Sequence, residues 1–282
     1  MSSLKFTGER LMPGALDKTA MEHLHRYAIC LEMVKNKNVL DIASGEGYGS
    51  FLLAKEASQV IGVDLAQEAI DHARASYPKE NLQFIQGSIL EIPSPDHSFD
   101  VVVSFETLEH VSDHEQTFAE IKRVLKPDGI LIISTPEKSV YSDEVNYSNP
   151  FHEKELYEWE FRDLIHRYFE NAKVIQQKYV KGSLMVDKDF SSTSFRFFTG
   201  DFQGFDLRAG FHPEYLVAIC SNQPIATLDM DSLFTNPINE KIMVEEIVAA
   251  KIKRLKSGFR YRLIDSIFKP WDLIKSLKNK IS

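Results

Sequence analysis

Cysteine and long apolar runs are both scarce in this sequence of 282 residues. Its two cysteines, Cys30 and Cys220, are too few for a disulfide scaffold or a four-cysteine zinc site, so we expect reduced thiols. No stretch approaches the roughly 18–20 apolar residues that span a bilayer. Residues 1–7 also lack the apolar run of a secretory signal. These absences predict a cytoplasmic protein without a membrane-spanning segment.

The composition is otherwise that of an ordinary globular chain, with 43% hydrophobic and 26% charged residues, which excludes disorder of the whole chain. The net charge of −8 is unevenly distributed. Residues 251–282 contain ten basic and two acidic side chains, so this tail carries +8 and the other 250 residues carry −16. An acidic body argues against nucleic acid as the main partner, because phosphate binding requires a basic surface.

Strand-like and helix-like patterns alternate between residues 36 and 135. The apolar, Val- and Ile-rich runs lie at 39–41, 60–64, 82–86, 101–105 and 130–135, and the clearest helical patterns lie at 67–77 and 113–125. Pro127, Asp128 and Gly129 predict a turn between the last helix and the last strand. Such alternation is typical of a parallel sheet with helices on both faces, whose ligands bind beyond the carboxyl ends of the strands.

The rest of the chain gives a coarser prediction. We expect a loop at 141–149, a helix at 153–168, strands at 174–177 and 215–220, and helices from 239 onward. The predicted organisation is an N-terminal lid helix at 1–35, an α/β domain at 36–223 with a substrate-shaping insertion at about 178–213, and a basic amphipathic tail at 239–282.

Residues 39–50 hold the most informative motif, a strand followed by a glycine-rich turn that contains Gly45, Gly47 and Gly49. Glycine permits a tight turn and lets a ligand approach the backbone. The dinucleotide fingerprint requires a further glycine where Ser50 stands, and the Gly-Lys-Ser/Thr of a phosphate loop is absent. The turn therefore belongs to another class of nucleotide-like ligand.

Two acidic residues sharpen that interpretation. Asp41 precedes the turn and favours a cationic ligand over a pyrophosphate. Asp64 ends the second strand, 19 residues after Gly45, where a carboxylate can accept hydrogen bonds from both hydroxyls of a ribose. The alternative for Asp64 is a residue that merely precedes the next helix.

The chain resembles the class I S-adenosylmethionine-dependent methyltransferases over about residues 36–135. The matching motifs lie at 40–47, 62–64, 98–102, 108–111 and 125–129, in the order and spacing of that family. The resemblance implies a seven-stranded, Rossmann-like, mostly parallel α/β sheet with helices on both faces, to which a helical C-terminal appendage is added. It also implies S-adenosyl-L-methionine as the cofactor.

The candidate cofactor-binding residues are Arg26, Tyr27, Asp41, Ala43, Ser44, Gly45, Gly47, Asp64, Leu65, Gly87, Ser88, Ile89, Ser104 and Phe105. The resemblance implies that 43–47 hold the methionine part, that Leu65 packs on the adenine bordered by 87–89, and that 104–105 line the sulfonium. Two positions depart from the family, which usually has glycine at Ala43 and aspartate at Ser88.

A predicted N-terminal helix supplies two further candidates. We expect Arg26 to bind the methionine carboxylate and Tyr27 to pack over it, and the alternative for both is a solvated helix face. His23 and His25 lie on the same predicted helix, and Arg10 is a weaker candidate.

Short motifs at 6–10, 22–27 and 149–152, with Glu155 following, resemble bacterial methyltransferases of surface-polysaccharide synthesis. That likeness implies methyl transfer to a hydroxyl of a saccharide or sugar nucleotide. Methylation of an amino-sugar nitrogen or of another small molecule is an alternative, and so is a scaffold protein that binds the cofactor without catalysis.

A hydroxyl acceptor requires help with loss of its proton, and histidine suits that task near neutral pH. His110 follows the fourth predicted strand, and His152 has Glu155 nearby to orient it, so both are candidate bases. His110 and His114 with Glu106 have helical spacing, but Val111 stands where the zinc-protease pattern has glutamate. We therefore expect exposed charged residues at a helix start and no metal.

The tail has apolar residues at helical spacing between its lysines and arginines. Basic amphipathic helices of this kind bind anionic membrane surfaces, here the inner face of the membrane, or protein partners. The alternative is that the tail docks on its own domain or forms a homodimer. The sequence leaves both open.

Overall fold

The computed structural model describes residues 11–14, 17–180, 197–201, 203–208, 212–225 and 231–234. The chain divides into the units Met1–Leu233 and Phe234–Ser282, and the fold below belongs to the first. The predicted tail helices, the motif at 6–10, Arg10 and most of the predicted insertion lie outside the described residues.

The described chain alternates strands and helices. Strands β1 to β9 are Asn38–Ile42, Gln59–Asp64, Leu82–Gln86, Phe99–Ser104, Leu125–Pro136, Asn171–Gln177, Phe197–Asp201, Gly204–Arg208 and Tyr215–Ser221. Helices α1 to α5 are Lys18–Cys30, Tyr48–Leu53, Gln67–Ser76, His114–Val124 and Glu158–Tyr168. A 3₁₀ turn forms at Leu108–His110 and a π-helical turn at Ser139–Asp143.

Seven strands form one sheet in the order β3-β2-β1-β4-β5-β9-β6. β1 to β5 pair in parallel, and β9 runs antiparallel to both of its neighbours. β7 and β8 form a separate antiparallel pair. The predicted seven-stranded, mostly parallel Rossmann-like sheet is confirmed.

Successive side chains of each strand point to opposite faces of the sheet, and this divides the core into two clusters, one on each face. In β4, Val102 packs into one apolar cluster while Val101 and Val103 pack into the other. The first cluster includes Phe118 of α4 and Phe161 of α5, whereas α1, α2 and α3 cover the second. Both faces are buried, which explains why the central strands are continuous apolar runs.

Three local predictions are wrong. Residues 127–129 lie inside β5, which begins at Leu125 directly after α4, rather than in a turn before the strand, and the register with β4 shifts across them. α5 begins at Glu158 rather than at 153. At this start the Glu160 carboxylate accepts the Tyr157 N–H and closes the first turn of the helix. The predicted loop at 141–149 begins inside the π-helical turn.

None of the helices among the described residues combines the length and the apolar character that crossing a bilayer requires.

Candidate functional site

The site lies where the first four parallel strands end together. The register aligns Asp41 of β1 with Val103 of β4, and Asp64 of β2 with Gln86 of β3. Residues that follow these strands therefore share one edge of the sheet, as predicted for ligand binding in such folds.

The turn after β1 is built from left-handed backbone. Ala43, Gly45 and Gly47 have φ values of 61°, 56° and 99°. A Cβ on Gly47 would lie 2.7 Å from the Cβ of Ala73, so glycine is required there on two grounds. The Ala43 methyl is accommodated in this conformation, at a cost of about 1 kcal/mol relative to ordinary backbone.

Asp64 ties the end of β2 to this turn. Its Oδ2 accepts the Gly45 N–H at 2.8 Å, and its Oδ1 accepts the Ala66 N–H at 2.9 Å. Each carboxylate oxygen has two lone pairs, so a carboxylate in this position can accept backbone N–H and hydroxyl donors together. The neighbouring Leu65 is 72% exposed, an unusual position for a leucine unless a planar group covers it.

Asp41 lies beneath the turn and is fully buried. Its carboxylate accepts the Ser50 hydroxyl at 2.6 Å and the Tyr27 hydroxyl at 3.4 Å. Burial raises the pKa of Asp41 to about 7, although both hydroxyl donors favour the charged form. The carboxyl is thus poised between charge states near neutral pH.

Helix α1 packs over the turn through buried side chains. Asp17 caps the helix by accepting the Ala20 N–H at 2.9 Å. The Tyr27 ring lies against the backbone of Gly49 and meets Phe105 edge-on, with 5.1 Å between ring centroids. A solvated helix face, the alternative considered for Arg26 and Tyr27, is therefore wrong.

Arg26 is the largest buried cation of this region, 1% exposed. Its Nε donates to Gln177 Oε1 at 2.7 Å, and its guanidinium lies 4.5 Å from the centroid of the Tyr215 ring. Nη1 forms an ion pair with Glu106 Oε1 at 3.3 Å. Within the described residues, neither terminal nitrogen makes a hydrogen bond. This donor pair suits a planar carboxylate.

We expect Gly49→Ala to loosen α1 without removing a cofactor contact. Helix propensity alone would make alanine the better residue at this position of α2 by up to about 1 kcal/mol. The new Cβ would instead lie 2.0 Å from Tyr27 Cζ, so the ring has to leave. Hydrogen exchange in residues 18–30 should accelerate, with exchange in β4 as the internal control. Unchanged exchange in α1 would contradict this packing.

The predicted adenine-side segment follows β3. Gly87 N–H donates to the Asp64 carbonyl at 3.0 Å, and the Ser88 hydroxyl accepts the Leu90 N–H at 3.1 Å. The side chain of Ile89 packs into the core. Ser88 thus serves a local turn.

The end of β4 supplies the opposite wall. Ser104 is fully buried, and its hydroxyl, like that of Ser44, has no hydrogen-bond partner among the described residues. Glu106 has a left-handed φ of 49°, and its Oε1 accepts the Ser134 hydroxyl at 2.6 Å. Unsatisfied hydroxyls and non-glycine left-handed backbone concentrate at functional sites.

The two candidate bases, His110 and His152, lie together although 42 residues separate them in sequence. Their ring centroids are 4.9 Å apart and edge-on. His110 Nδ1 lies 3.0 Å from the Phe151 carbonyl oxygen, and His152 Nδ1 lies 2.5 Å from Glu155 Oε1. The predicted orientation of His152 by Glu155 therefore forms. The sequence offers His110 and His152 as two separate candidate bases, and the structure brings their rings into contact.

Neighbouring residues revise the sequence interpretation. His114 is buried, with Nε2 2.9 Å from the Leu108 carbonyl oxygen, so the expectation of an exposed charged helix start is wrong for His114. Glu109, directly before His110, is also buried. Glu109 and Asn149 belong to the motifs at 108–111 and 149–152, but the sequence alone predicts no role for either. The signal that could have identified Glu109 is its place directly before His110.

A profile of a protein family described as "Methyltransferase domain" matches residues 40–133, about one third of the chain. The match runs from β1 through β5 and so contains the glycine-rich turn, Asp64 and the end of β4. It supports the predicted class of fold and cofactor.

Curated relatives agree with this match. The chain is 37% identical over 167 residues to a probable S-adenosylmethionine-dependent methyltransferase of Mycolicibacterium smegmatis, covering 58% of this chain and 64% of that protein. It is 37% identical over 156 residues to a protein of the same description in Mycobacterium tuberculosis, Rv3030, covering 54% and 56%. The chain thus spans less than two thirds of the length of these relatives.

Solved structures share the fold. YcgJ of Bacillus subtilis has a TM-score of 0.53 at 20% identity, covering 72% of this chain and 100% of its own. A putative S-adenosylmethionine-dependent methyltransferase of Listeria monocytogenes has a TM-score of 0.53 at 16% identity, covering 73% and 100%. At these identities the likeness concerns the fold alone.

Proposed function

We propose that the chain is a class I S-adenosylmethionine-dependent methyltransferase, supported by the methyltransferase-domain match at residues 40–133, and that it methylates a hydroxyl of a saccharide or sugar nucleotide. The observation that carries the acceptor proposal is the imidazole pair of His110 and His152. His110 of this pair follows β4, the strand that ends at the buried hydroxyl of Ser104.

The residues at the sheet edge fit S-adenosylmethionine, which supplies an electrophilic methyl group when bound. Asp64 has lone pairs for two ribose hydroxyls, and Leu65 offers an exposed apolar surface for a planar base. The two terminal nitrogens of Arg26 suit a carboxylate. Asp41 and the acidic body favour a ligand with a cationic sulfur.

The unsatisfied buried hydroxyls support the same placement. Ser44 and Ser104 end adjacent strands, and their hydroxyls lack partners among the described residues. A buried hydroxyl without a partner costs about 1–3 kcal/mol, so a polar ligand between these strand ends would recover that energy. We propose that both serines, with the turn at 43–47 and Phe105, line the cofactor.

The imidazole pair favours a hydroxyl over an amine as the acceptor. A neutral amine already has a nucleophilic lone pair, whereas a hydroxyl gains nucleophilicity only as its proton leaves. Nδ1 of each ring faces an oxygen, the Phe151 carbonyl or the Glu155 carboxylate, so the lone pair lies on Nε2. A lone pair on Nε2 promotes loss of this proton in one of two ways. It accepts the proton directly, or it binds a cation that holds the acceptor hydroxyl.

Aromatic side chains beside the imidazole pair support a saccharide. Tyr141 stacks on His152 with 5.5 Å between ring centroids, and it meets Tyr147 at 6.1 Å. Tyr147 and Phe151 are half exposed. Exposed aromatic faces suit the apolar faces of sugar rings, and burial of their exposed area would favour binding. A role in surface-polysaccharide synthesis, with the tail as a membrane or partner contact, completes the proposal.

The test is methyl transfer from isotopically labelled S-adenosylmethionine by the full chain to a panel of sugar nucleotides, oligosaccharides and amino sugars. We expect label in an O-methyl group of a saccharide. Label confined to amino-sugar nitrogen would replace the proposal with N-methylation. Tight cofactor binding without turnover on any acceptor would replace it with the scaffold alternative.

We expect cofactor affinity to fall below pH 7 because of Asp41. In the free protein its pKa is raised to about 7, and a nearby cation lowers the pKa of a carboxyl. Binding below pH 7 must therefore expel a proton, which weakens affinity by up to about tenfold per pH unit. Calorimetry between pH 5.5 and 8 measures the slope, and Asp41→Asn should flatten it. Equal affinity at both ends of this range would contradict the assignment.

A further inference from the structure

We propose that Glu109, His110 and His152 bind a divalent transition-metal cation, such as Mn²⁺, Fe²⁺, Co²⁺ or Zn²⁺. Its role in catalysis rests on the proposed function, because the cation would hold the acceptor hydroxyl beside the methyl group. Binding of the cation itself does not depend on that function.

The three side chains converge from two parts of the chain, Glu109 and His110 from the 3₁₀ turn after β4 and His152 from the connection between β5 and α5. One potential ligand atom from each lies within 4.8 Å of the other two. Around a tetrahedral cation with bonds of about 2.1 Å, ligand atoms lie about 3.4 Å apart, so closure requires each side chain to move by roughly 1 Å. Rotations of imidazole and carboxylate groups provide such movements without a change of backbone.

The hydrogen bonds of both imidazoles prepare Nε2 for a metal. The Nδ1 of each ring faces an oxygen acceptor, the Glu155 carboxylate at 2.5 Å or the Phe151 carbonyl at 3.0 Å. Metal-ligating histidines have this arrangement, because the second nitrogen is held by a carboxylate or carbonyl. Glu155 is itself fixed, since its Oε2 accepts the Ser142 hydroxyl at 2.5 Å.

Asn149 confirms which nitrogen of His152 carries the lone pair. Its amide Nδ2 donates to His152 Nε2 at 3.0 Å, while its Oδ1 accepts the Phe151 N–H at 3.0 Å. The amide orientation is thus fixed at both ends. A cation that binds His152 displaces this single neutral donor.

Glu109 provides the negative charge that such a cation requires. Its side chain is 1% exposed, and its Oε2 has a long contact of 3.4 Å with the Thr135 hydroxyl. Among the described residues, no ion pair joins Glu109 to a lysine, arginine or histidine. Arg26 attracts this carboxyl through a Coulomb interaction but forms no ion pair with it, and a cation bound directly to the carboxylate would offset the cost of burying its charge.

The donor set defines the class of cation and substrate. Two imidazoles and one carboxylate suit first-row transition metals and leave open positions, whereas Mg²⁺ and Ca²⁺ prefer oxygen ligands alone. Two neighbouring hydroxyl oxygens of a saccharide fit these positions. The bound hydroxyl loses its proton to water, its oxygen bonds the methyl carbon, and the carbon–sulfur bond breaks to leave a neutral thioether. The imidazoles then act as ligands and not as proton acceptors.

The test uses the full chain after removal of metals with a chelator. Co²⁺ is titrated by calorimetry and by visible absorption, whose d–d bands report the number and type of ligands. We expect one Co²⁺ per chain, and a loss of affinity of about 100-fold in Glu109→Gln and in His152→Ala. His166→Ala, which removes an exposed histidine of α5, should bind Co²⁺ like the unaltered chain.

Parallel titration with S-adenosylmethionine shows that each variant is folded and separates the two proposals. Absence of stoichiometric Co²⁺ binding in a chain that binds S-adenosylmethionine would overturn the metal site and leave the proposed function standing. Unchanged Co²⁺ affinity in the folded His152→Ala variant would also overturn it. Co²⁺ binding at these residues without S-adenosylmethionine binding would support the site and remove the proposed function.

Discussion

Replacing Asp64 with alanine is expected to weaken S-adenosylmethionine binding by about 100- to 1,000-fold. The substitution removes a carboxylate that can accept both ribose hydroxyls. It also removes the acceptor of the Gly45 and Ala66 N–H groups, which positions the turn after β1. Hydrogen bonds to a charged group contribute about 1.5–3 kcal/mol each, so the loss of two accounts for an effect of this size.

Calorimetry on the purified variant measures this loss directly. Asp71→Ala is the matched control, because Asp71 is an exposed carboxylate of the following helix whose ion pair with Arg74 is on the surface. We expect its affinity to stay within about twofold of the unaltered chain. Asp64→Asn separates the two roles, since it retains one oxygen acceptor for the turn. Asp64→Ala binding within threefold would rule out the ribose assignment.

Removing either imidazole of the His110–His152 pair is expected to lower kcat/KM by about 100- to 10,000-fold. The pair promotes loss of the acceptor proton, directly or through a bound cation, so either alanine variant should lose that help. The two rings belong to the connection after β4 and the connection from β5 to α5, whereas the turn at 43–47 follows β1 and Asp64 ends β2. The dissociation constant for S-adenosylmethionine should therefore change by less than about threefold in both variants, which separates chemistry from cofactor binding.

Steady-state transfer of labelled methyl groups to the acceptor identified from the panel measures this effect. His166→Ala again serves as the control for loss of a histidine far from the pair. Rates within threefold of the unaltered chain in both alanine variants would instead favour an amine acceptor. Equal losses in the single and double variants would indicate that the two rings act as one unit.

The central sheet was predictable because its strands are buried on both faces. Val39, Val60 and Val101 begin apolar runs that have few alternatives to a buried parallel strand. Residues 127–129 are part of β5, yet the register with β4 shifts across them and pairing with β9 begins only at Ile130. Proline and glycine here mark an irregularity within the strand rather than a turn before it.

The cofactor side of the site was more predictable than the acceptor side. Its residues follow strand ends at spacings set by the sheet, as Gly45 and Asp64 illustrate. The contact of His110 with His152 depends on how residues 137–157 pack, which sequence periodicity does not encode. The role of Glu106 as the ion-pair partner of Arg26 is likewise a tertiary contact between α1 and the end of β4.

The direct passage from α4 into β5 has a consequence for how the acceptor site adapts to its ligand. His110 lies in the connection between β4 and α4, and α4 leads directly into β5, so both elements that flank this connection are tied to the central sheet. His152 lies in the long connection from β5 to α5. We therefore expect the His110 wall to move less than the connection that carries His152. Since His152 itself serves the proposed chemistry, differences in acceptor size should be absorbed elsewhere in that connection, around the exposed rings of Tyr147 and Phe151.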